Sequence, residues 1–540
     1  MDAELRQAHA RNLGVDLLNE SGHRPNGGTQ TDSALTRDRA LLKTNSGGAG
    51  IRPIGDRPHA LNSMCHALPM LIDKKDKDGN VTAGYFNALS SVFGEDSFDE
   101  LNKATRWNTF LSRNRGIALE FKQAYDHHSA INLEVRARID LPPGSDPPAS
   151  IFDKPIDGFG ADNPKVQKSV MEERQLFRAQ VVHQRMCALP CDDHRRKAWL
   201  ANSADEFACS TLGQPDVLFS TKRWHASVAL FFGLPVKELA PYIGNRIQAG
   251  GSGNPVVDAH GHNLLSLPHS LGGGTSTHHN NSIRVVSEDL GRAGVKVKTT
   301  SKNGGVNNLF KGPLSGGLPL GDRDRDITNG IIPDMVVDAS EFENSAGSEL
   351  GGAVHLVDMK THASTSDHNS DSTTRGQVAK NRQDKVNSAY FKKAKWLDHV
   401  VHGSHPDEQG PVERELHEYG HNGRVLGPVI GVYGCGSSDL SLLRDLAAFQ
   451  LARKHTEHHN MDFFQARAMF KKKLNRSWGQ HIARGWASML LNRLRDYVIP
   501  STPSCTARPA YSDHYGPNSG VVNDQFNYFH GLARGVNQGG

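Results

Sequence analysis

Two short apolar runs constrain the fold of this chain more than any other feature. Residues 331–337 include Asp334, and residues 353–360 end in Asp358-Met359-Lys360. Both runs are bounded by Gly, Ser and Asn, as buried strands commonly are. Because side chains alternate along a strand, Asp358 and Lys360 should point to the same side of a sheet. If the two strands pair, Asp334 should lie beside that face.

Two acids and a lysine in this arrangement suit metal-assisted phosphodiester hydrolysis. Asp334 and Asp358 are the candidate metal ligands, because Mg²⁺ takes oxygen ligands and keeps some of its water. Bound Mg²⁺ or Mn²⁺ would polarise a phosphate and lower the pKa of its water, and Lys360 would orient that water or stabilise developing charge. The motif alone is weak, since Asp-x-Lys recurs by chance and residues 73–75 contain another copy. Structural or surface acids are the alternative interpretation.

Charge and cysteine content limit the classes of partner and compartment. The net charge is only +4, so affinity for nucleic acid must come from local basic patches. Six cysteines in 540 residues indicate a reducing compartment rather than a disulfide framework. Residues 1–19 lack the apolar segment of a signal peptide, and no run of about 18 apolar residues occurs, so we expect no membrane partner. We expect an intracellular, nuclear protein, and the sequence gives no oligomeric state.

Changes in composition divide the chain into successive segments, and glycine-rich and proline-rich stretches mark most of the boundaries. The predicted segments are a disordered N-terminal segment (1–58), a helical region (59–140), a proline-rich linker (141–165), a helical domain (166–243), a loop rich in glycine and histidine (244–279), a region that alternates helix and strand (280–455), a basic helical segment (456–499) and a flexible tail (500–540).

The order of elements within 280–455 predicts a mixed sheet flanked by helices. A helix over 281–292 carries Glu288, and an alternating strand follows at 295–300. The two acidic strands come next, and then a basic helix over 377–400. A hydrophobic strand at 424–433 and a helix at 440–451 complete an α-β-β-β-α-β-α series.

This series, with a helix-borne Glu, then Pro-Asp, then Asp-x-Lys, resembles the PD-(D/E)XK restriction-like endonuclease superfamily. It is most similar to the endonuclease segment that follows the reverse transcriptase of non-LTR retrotransposons. The resemblance covers residues 217–451 and includes Phe-Gly-Leu-Pro at 232–235 and His279-Asn280. It implies an α/β (α+β) restriction-endonuclease-like core preceded by mostly helical segments. It also implies a DNA endonuclease that uses Mg²⁺ or Mn²⁺, with Lys360 as catalytic lysine and Glu288 as a third acid.

The chain departs from that family in the loop at 244–279. The cysteines that would bind zinc in a knuckle are absent there, and only histidines remain, including His260 and His262. Since a structural zinc site usually needs at least two cysteines, we expect solvent-facing histidines and no zinc site. No Tyr/Phe-x-Asp-Asp polymerase motif occurs, so the resemblance does not extend to reverse transcription.

Basic residues on two helical segments are the candidate contacts to nucleic acid, either DNA or RNA. Gln377 or Lys380 could contact phosphate from the helix after the acidic strands, and Lys471, Lys472 and Lys473 form a second group. Apolar spacing around the second group predicts that its tryptophan face belongs to a core. Two alternatives stay open: a binding protein with a decayed nuclease fold, or a structural protein whose acids cap strands.

Overall fold

A computed structural model describes residues 30–43, 46, 48, 112, 115–153, 166–202, 220–248, 255–267, 274–299, 333–342, 349–363, 373–405, 407–421, 423–434, 436–459 and 461–498. The predictions for 1–29, 59–111, 154–165 and 500–540 lie outside these residues. Helices and short strands follow one another in the order α1 (Gln30–Leu41), α2 (Arg115–Ala137), α3 (Val166–Cys187), α4 (His194–Ala201), α5 (Thr221–Phe232), α6 (His262–Leu265), α7 (Gly274–Ala293), β1 (Lys296–Thr299), β2 (Met335–Asp338), β3 (Val354–Val357), β4 (Lys360–His362), α8 (Gln377–His402), α9 (Pro411–Glu418), β5 (Val429–Gly431), α10 (Ser438–His459) and α11 (Phe463–Tyr497). Short 3-10 turns occur at Ile151–Asp153 and Lys237–Tyr242.

Strands β1, β2 and β3 form an antiparallel sheet in that order. Lys298 lies opposite Val336, and Val336 lies opposite Leu356. These strands are rich in valine, whose β-branched side chain favours extended backbone and packs well on a pleated surface. The two acidic runs of the sequence therefore do pair, as neighbouring strands.

A parallel ladder joins this sheet to β5. β4 pairs parallel with β5, so that Lys360 lies opposite Val429. Between β3 and β4 the chain keeps its direction, because Asp358 N–H donates to Leu426 O and Lys360 N–H donates to Pro428 O. The described strands thus combine antiparallel and parallel pairing, and the fold is α+β, with helices in excess and a small sheet.

Side-chain alternation gives this sheet two covered faces. Met335 and Met359 are fully buried in the larger core, with residues of α7, α10 and α11. Val336 and Leu356 are buried in a second core, with residues of α8 and α9. Even-numbered side chains of β2 to β4 therefore lie on the side of α8.

Helix α11 is central to the larger core and is not a basic appendage. The sequence predicts a basic helical segment over 456–499, and one helix spans Phe463–Tyr497. Its tryptophans, Trp478 and Trp486, are buried, which confirms that their face belongs to the core. The indole of Trp478 donates to Asp289 of α7 at 2.8 Å. Segment 456–499 is therefore inseparable from the core next to it.

The prediction of disorder over 1–58 is wrong for residues 30–41, which form α1. The guanidinium of Arg39 is fully buried, donates to Phe231 O at 2.9 Å, and lies over the rings of Trp199, Phe231 and Phe232. Free carbonyls at the C-terminal end of α5 need donors, and Arg39 supplies one. A polar sequence without periodicity gives no sign of such a contact.

The prediction of a loop over 244–279 needs correction at both ends. Ile247 forms an antiparallel bridge with Val498, and helix α7 already begins at Gly274. Asp258 organises the middle, because its carboxylate accepts the backbone N–H groups of His260, His262 and Asn263 at 2.7–3.0 Å. In the part of the chain that is described, no helix has the length and apolar character needed to cross a membrane.

Candidate active site

Asp334, Asp358 and Lys360 meet on the face of the sheet that α8 covers. The ammonium of Lys360 lies 2.7 Å from Asp358 Oδ2, as expected for side chains two residues apart on extended backbone. Asp334 precedes β2, and its Oδ2 accepts the N–H of Met359 at 2.8 Å. The carboxyl group of Asp334 is close enough to that of Asp358 to affect its ionisation.

Burial is the main electrostatic influence on Asp358, and the charges of Lys360 and Asp334 follow it. Burial is the largest effect on Asp358 and raises the pKa of its carboxyl, to which Asp334 adds both charge repulsion and a hydrogen bond. Lys360 opposes this shift through its charge and its hydrogen bond. With its side chain 46% exposed, Lys360 is the member of the group most open to solvent.

Glu288 does not belong to this group. It lies on the outer surface of α7 and pairs with Arg284 at 2.8 Å and Arg292 at 3.9 Å. The residue of α7 that reaches the carboxylates is His279, nine positions earlier. Nine residues are about two and a half helical turns, so the two side chains leave opposite sides of the helix, about 14 Å apart along its axis. The assignment of Glu288 as third acid is therefore wrong.

His279 orients Asp334 from the helix side. Its Nε2 lies 3.3 Å from Asp334 Oδ1, while Met359 N–H holds the other oxygen. The signal was present in the sequence, because His279 lies four residues before Ile283 and so shares the apolar stripe that α7 turns toward the core. The resemblance marks His279-Asn280 only as the start of a core and gives the histidine no role.

Tyr390 of α8 is a second residue that the motifs missed. It is 3% exposed and belongs to the same buried cluster as Val336 and Leu356. The charges of Asp358 and Asp334 both act on its phenol. Spacing could have identified it, since it lies four residues after Val386 on the inner stripe of α8.

The proposed phosphate contacts on α8 lie away from the carboxylates. Lys380 is exposed, and the side-chain amide of Gln377 donates to Asn381 Oδ1 at 2.6 Å. Lys380 precedes Tyr390 by ten residues, which is about 15 Å along a helix. A phosphate bound there would not be the phosphate beside Asp358.

The lysine run of α11 is also remote from the site. Lys472 and Lys473 are exposed, whereas Lys471 pairs with Asp445 at 3.2 Å. Further along α11, Gly485 packs on the imidazole of His278, the residue before His279. From Lys472 to Gly485 the helix rises about 20 Å.

His260 and His262 pack against His194 instead of facing solvent. His194 and His260 stack with centroids 3.8 Å apart and planes 18° apart, and His262 meets His194 edge to face at 4.7 Å. Burial is the largest of the effects that lower the pKa of each of these imidazoles to about 4. Because the His194 and His260 rings are nearly parallel, the lone pairs of their ring nitrogens point side by side. The ligands of a tetrahedral zinc site instead point toward one central ion. The expectation of solvent-facing histidines is therefore wrong here.

The carboxylate pair has the chemistry that a hard divalent cation requires. Within the residues described, no group of three or more His, Cys, Asp or Glu side chains is arranged to hold a metal ion. Two carboxylates are nevertheless a sufficient protein contribution for Mg²⁺, which usually completes its shell with water and substrate phosphate. Asp334 and Asp358 are the residues that fit this role, because a cation between them would offset their repulsion.

No protein-family model matches this sequence, and no curated protein was found to resemble it.

Proposed function

We propose that this chain is a DNA endonuclease of retrotransposon origin that hydrolyses phosphodiester bonds with Mg²⁺ or Mn²⁺. The observation that carries the proposal is the convergence of Asp334, Asp358 and Lys360 on one face of the sheet. The order of α7, three antiparallel strands, α8 and a parallel β5 supports a restriction-endonuclease-like core.

Each member of the group has a distinct task in this proposal. Asp334 and Asp358 would hold the cation, which when bound would supply Lewis-acid polarisation of the phosphate and an acidified water. His279 and the backbone of Met359 keep the Asp334 oxygens in place. Lys360 carries its charge on a flexible stem, so it can turn from Asp358 to a phosphate oxygen and stabilise the charge that develops there. Water attacks phosphorus and releases one proton to solvent, the bond to the leaving sugar oxygen breaks, and solvent supplies a proton to that oxygen.

Nicking of supercoiled plasmid tests this proposal. We expect nicking with Mg²⁺ or Mn²⁺ and none with Ca²⁺ alone. Asp358→Asn should lose metal binding and nicking together, because it removes a ligand. Lys360→Ala should keep metal binding and lose most of the rate, because it removes only charge stabilisation.

Glu288→Gln is the matched control, since its carboxylate is paired on the outer side of α7. That variant should nick within about twofold of the wild type. If the Asp358 and Lys360 variants cut as well as wild type, the activity lies elsewhere and the proposal is wrong.

One observation favours a second candidate, a nucleic-acid-binding protein without turnover. Glu288, the acid expected to complete the site, faces away from it, so the described site has only two carboxylates. This candidate predicts salt-sensitive binding to DNA or RNA with no nicking under any divalent cation. The plasmid experiment combined with a salt titration separates the two.

A further inference from the structure

Tyr390 is placed between the second core and the carboxylates. Its ring is buried with Val336 and Leu356, which lie two residues after Asp334 and two residues before Asp358. Strand alternation puts all four of these side chains on one face. The tyrosine thus enters from α8 above that face, with its ring in the apolar part and its hydroxyl toward the carboxylates.

The hydroxyl of Tyr390 has no hydrogen-bond partner among the described residues, although both carboxylates are close enough for their charges to act on it. A buried tyrosine usually satisfies its hydroxyl. A tyrosine phenol keeps its proton at neutral pH, so this hydroxyl remains a hydrogen-bond donor. A neutral donor that is not bonded to either carboxylate is available to a third group.

We propose that the Tyr390 hydroxyl is a catalytic hydrogen-bond donor to the scissile phosphate, or to the attacking water, at the Asp334–Asp358 pair. This inference rests on the proposed endonuclease function and adds a residue that no acidic motif identifies. The phenol forms no covalent bond and transfers no proton. It stabilises charge on an oxygen anion as that charge develops.

Tyr390→Phe tests this directly, because it removes one oxygen and keeps the ring that packs in the core. On plasmid DNA with Mg²⁺, kcat should fall by roughly 10-fold to 100-fold while KM changes little. Metal affinity measured without DNA, DNA affinity measured in Ca²⁺, and the thermal midpoint should all stay at wild-type values.

Tyr419→Phe is the matched control. Tyr419 also packs against the second core, but the charges that act on its phenol come from Glu415 and Glu418. The same chemical change at that position should leave kcat unchanged.

Each outcome decides the question. A selective loss of kcat in the Tyr390 variant alone supports the inference. Equal rates in the variant and wild type, or a loss of rate that accompanies weaker metal binding or a lower thermal midpoint, would show that Tyr390 only packs. A wild-type protein that never nicks overturns the proposed function, and this inference with it.

Discussion

At the scale of single residues, the site depends on how firmly Asp334 is oriented. Each of its oxygens faces a partner, Met359 N–H at 2.8 Å on one side and His279 at 3.3 Å on the other. Groups that hold a metal-binding carboxylate contribute to affinity without touching the metal, because they remove the orientational freedom that the ligand would otherwise lose. His279 should therefore matter for metal binding although it is not counted as a ligand.

We expect His279→Ala to weaken Mn²⁺ affinity by about 10-fold to 100-fold, since Asp334 loses the partner of one oxygen. Calorimetric titration of Mn²⁺ in the absence of DNA measures this. His458→Ala, a change at an exposed histidine of α10, is the control and should not alter affinity. Equal affinities in both variants would mean that Met359 alone suffices to orient Asp334.

Sequence reasoning succeeded where one local rule decided the position of a side chain. The parity of a strand placed Asp358 and Lys360 on one side, and they form an ion pair at 2.7 Å. It failed for Glu288 because the rotation of a helix about its axis depends on what the helix packs against. Counting from the apolar stripe of α7 would have selected His279 instead. The role of Tyr390 needs tertiary structure, since α8 and β2 are far apart in the chain.

At the scale of elements, the packing contact between α7 and α11, called the seam below, fixes the position of α7, the helix that carries His279. Gly485 of α11 allows close approach, since a Cβ there would come within 2.0 Å of His278 Nδ1. His278 is fully enclosed in this seam, and Ser282 one turn later contacts His481 at 3.2 Å. The position of His279, and through it that of Asp334, therefore depends on this helix contact.

Gly485→Ala should destabilise the protein by about 1–3 kcal/mol, because the new methyl group overpacks a seam that has no room for it. Gly291→Ala is the matched control, as Gly291 also lies in a helix but a Cβ there meets nothing within 4 Å. That control should be neutral or stabilising by up to about 1 kcal/mol, since alanine is the better helix former. Urea unfolding of the two variants measures the difference, and equal midpoints would contradict this account of the seam.

The lysine run of α11 allows a prediction about DNA binding. Changing Lys471, Lys472 and Lys473 together to Gln should shallow the log–log salt slope of duplex binding by about 0.9 for each phosphate that is no longer neutralised. Lys472 and Lys473 are exposed and Lys471 is half-buried, so the two exposed lysines should account for most of the change. The measurement is a titration of labelled duplex from low to moderate salt.

Lys380 and Lys385, both exposed on α8, provide the comparison when changed to Gln. An unchanged slope in the α11 variant with a shallower slope in the α8 variant would place the nucleic acid along α8. Lys472 lies about 20 Å along α11 from Gly485, which contacts the residue beside His279. A nucleic acid that reaches both the lysine run and the carboxylates would therefore have to be extended.

At the scale of the whole molecule, side chains from segments far apart in sequence pack together, and local sequence patterns do not predict these contacts. Arg39 bonds to Phe231 O, and Arg375 lies over Trp199 with its guanidinium 4.0 Å from the ring centroid. Local patterns predicted the α+β class and most of the elements from α7 onward. They missed α1, because that helix is stabilised by partners far away in the chain.

Buried histidines distributed over the molecule predict how its stability depends on pH. Burial is the first cause that lowers the imidazole pKa, to about 4 for His194, His260, His262 and His481, and to about 3 for His278. Asp193, Asp258 and Lys197 face the first cluster and modify these shifts without reversing them. Between pH 6.5 and about 4 the unfolded chain thus binds more protons than the folded chain, so stability must fall as the pH falls.

We therefore expect the free energy of unfolding to decrease steadily from about pH 7 to about pH 5, by up to about 1.4 kcal/mol per pH unit for each histidine that titrates only after unfolding. Asp358 and Asp439, whose carboxyl pKa values are raised chiefly by burial, act in the opposite direction and reduce the slope. Urea unfolding at a series of pH values measures it, and His260→Gln should make the dependence shallower because one titrating group is removed. A free energy of unfolding that stays constant over this range would mean that the imidazoles take up protons in the folded protein, which their stacked and buried arrangement opposes.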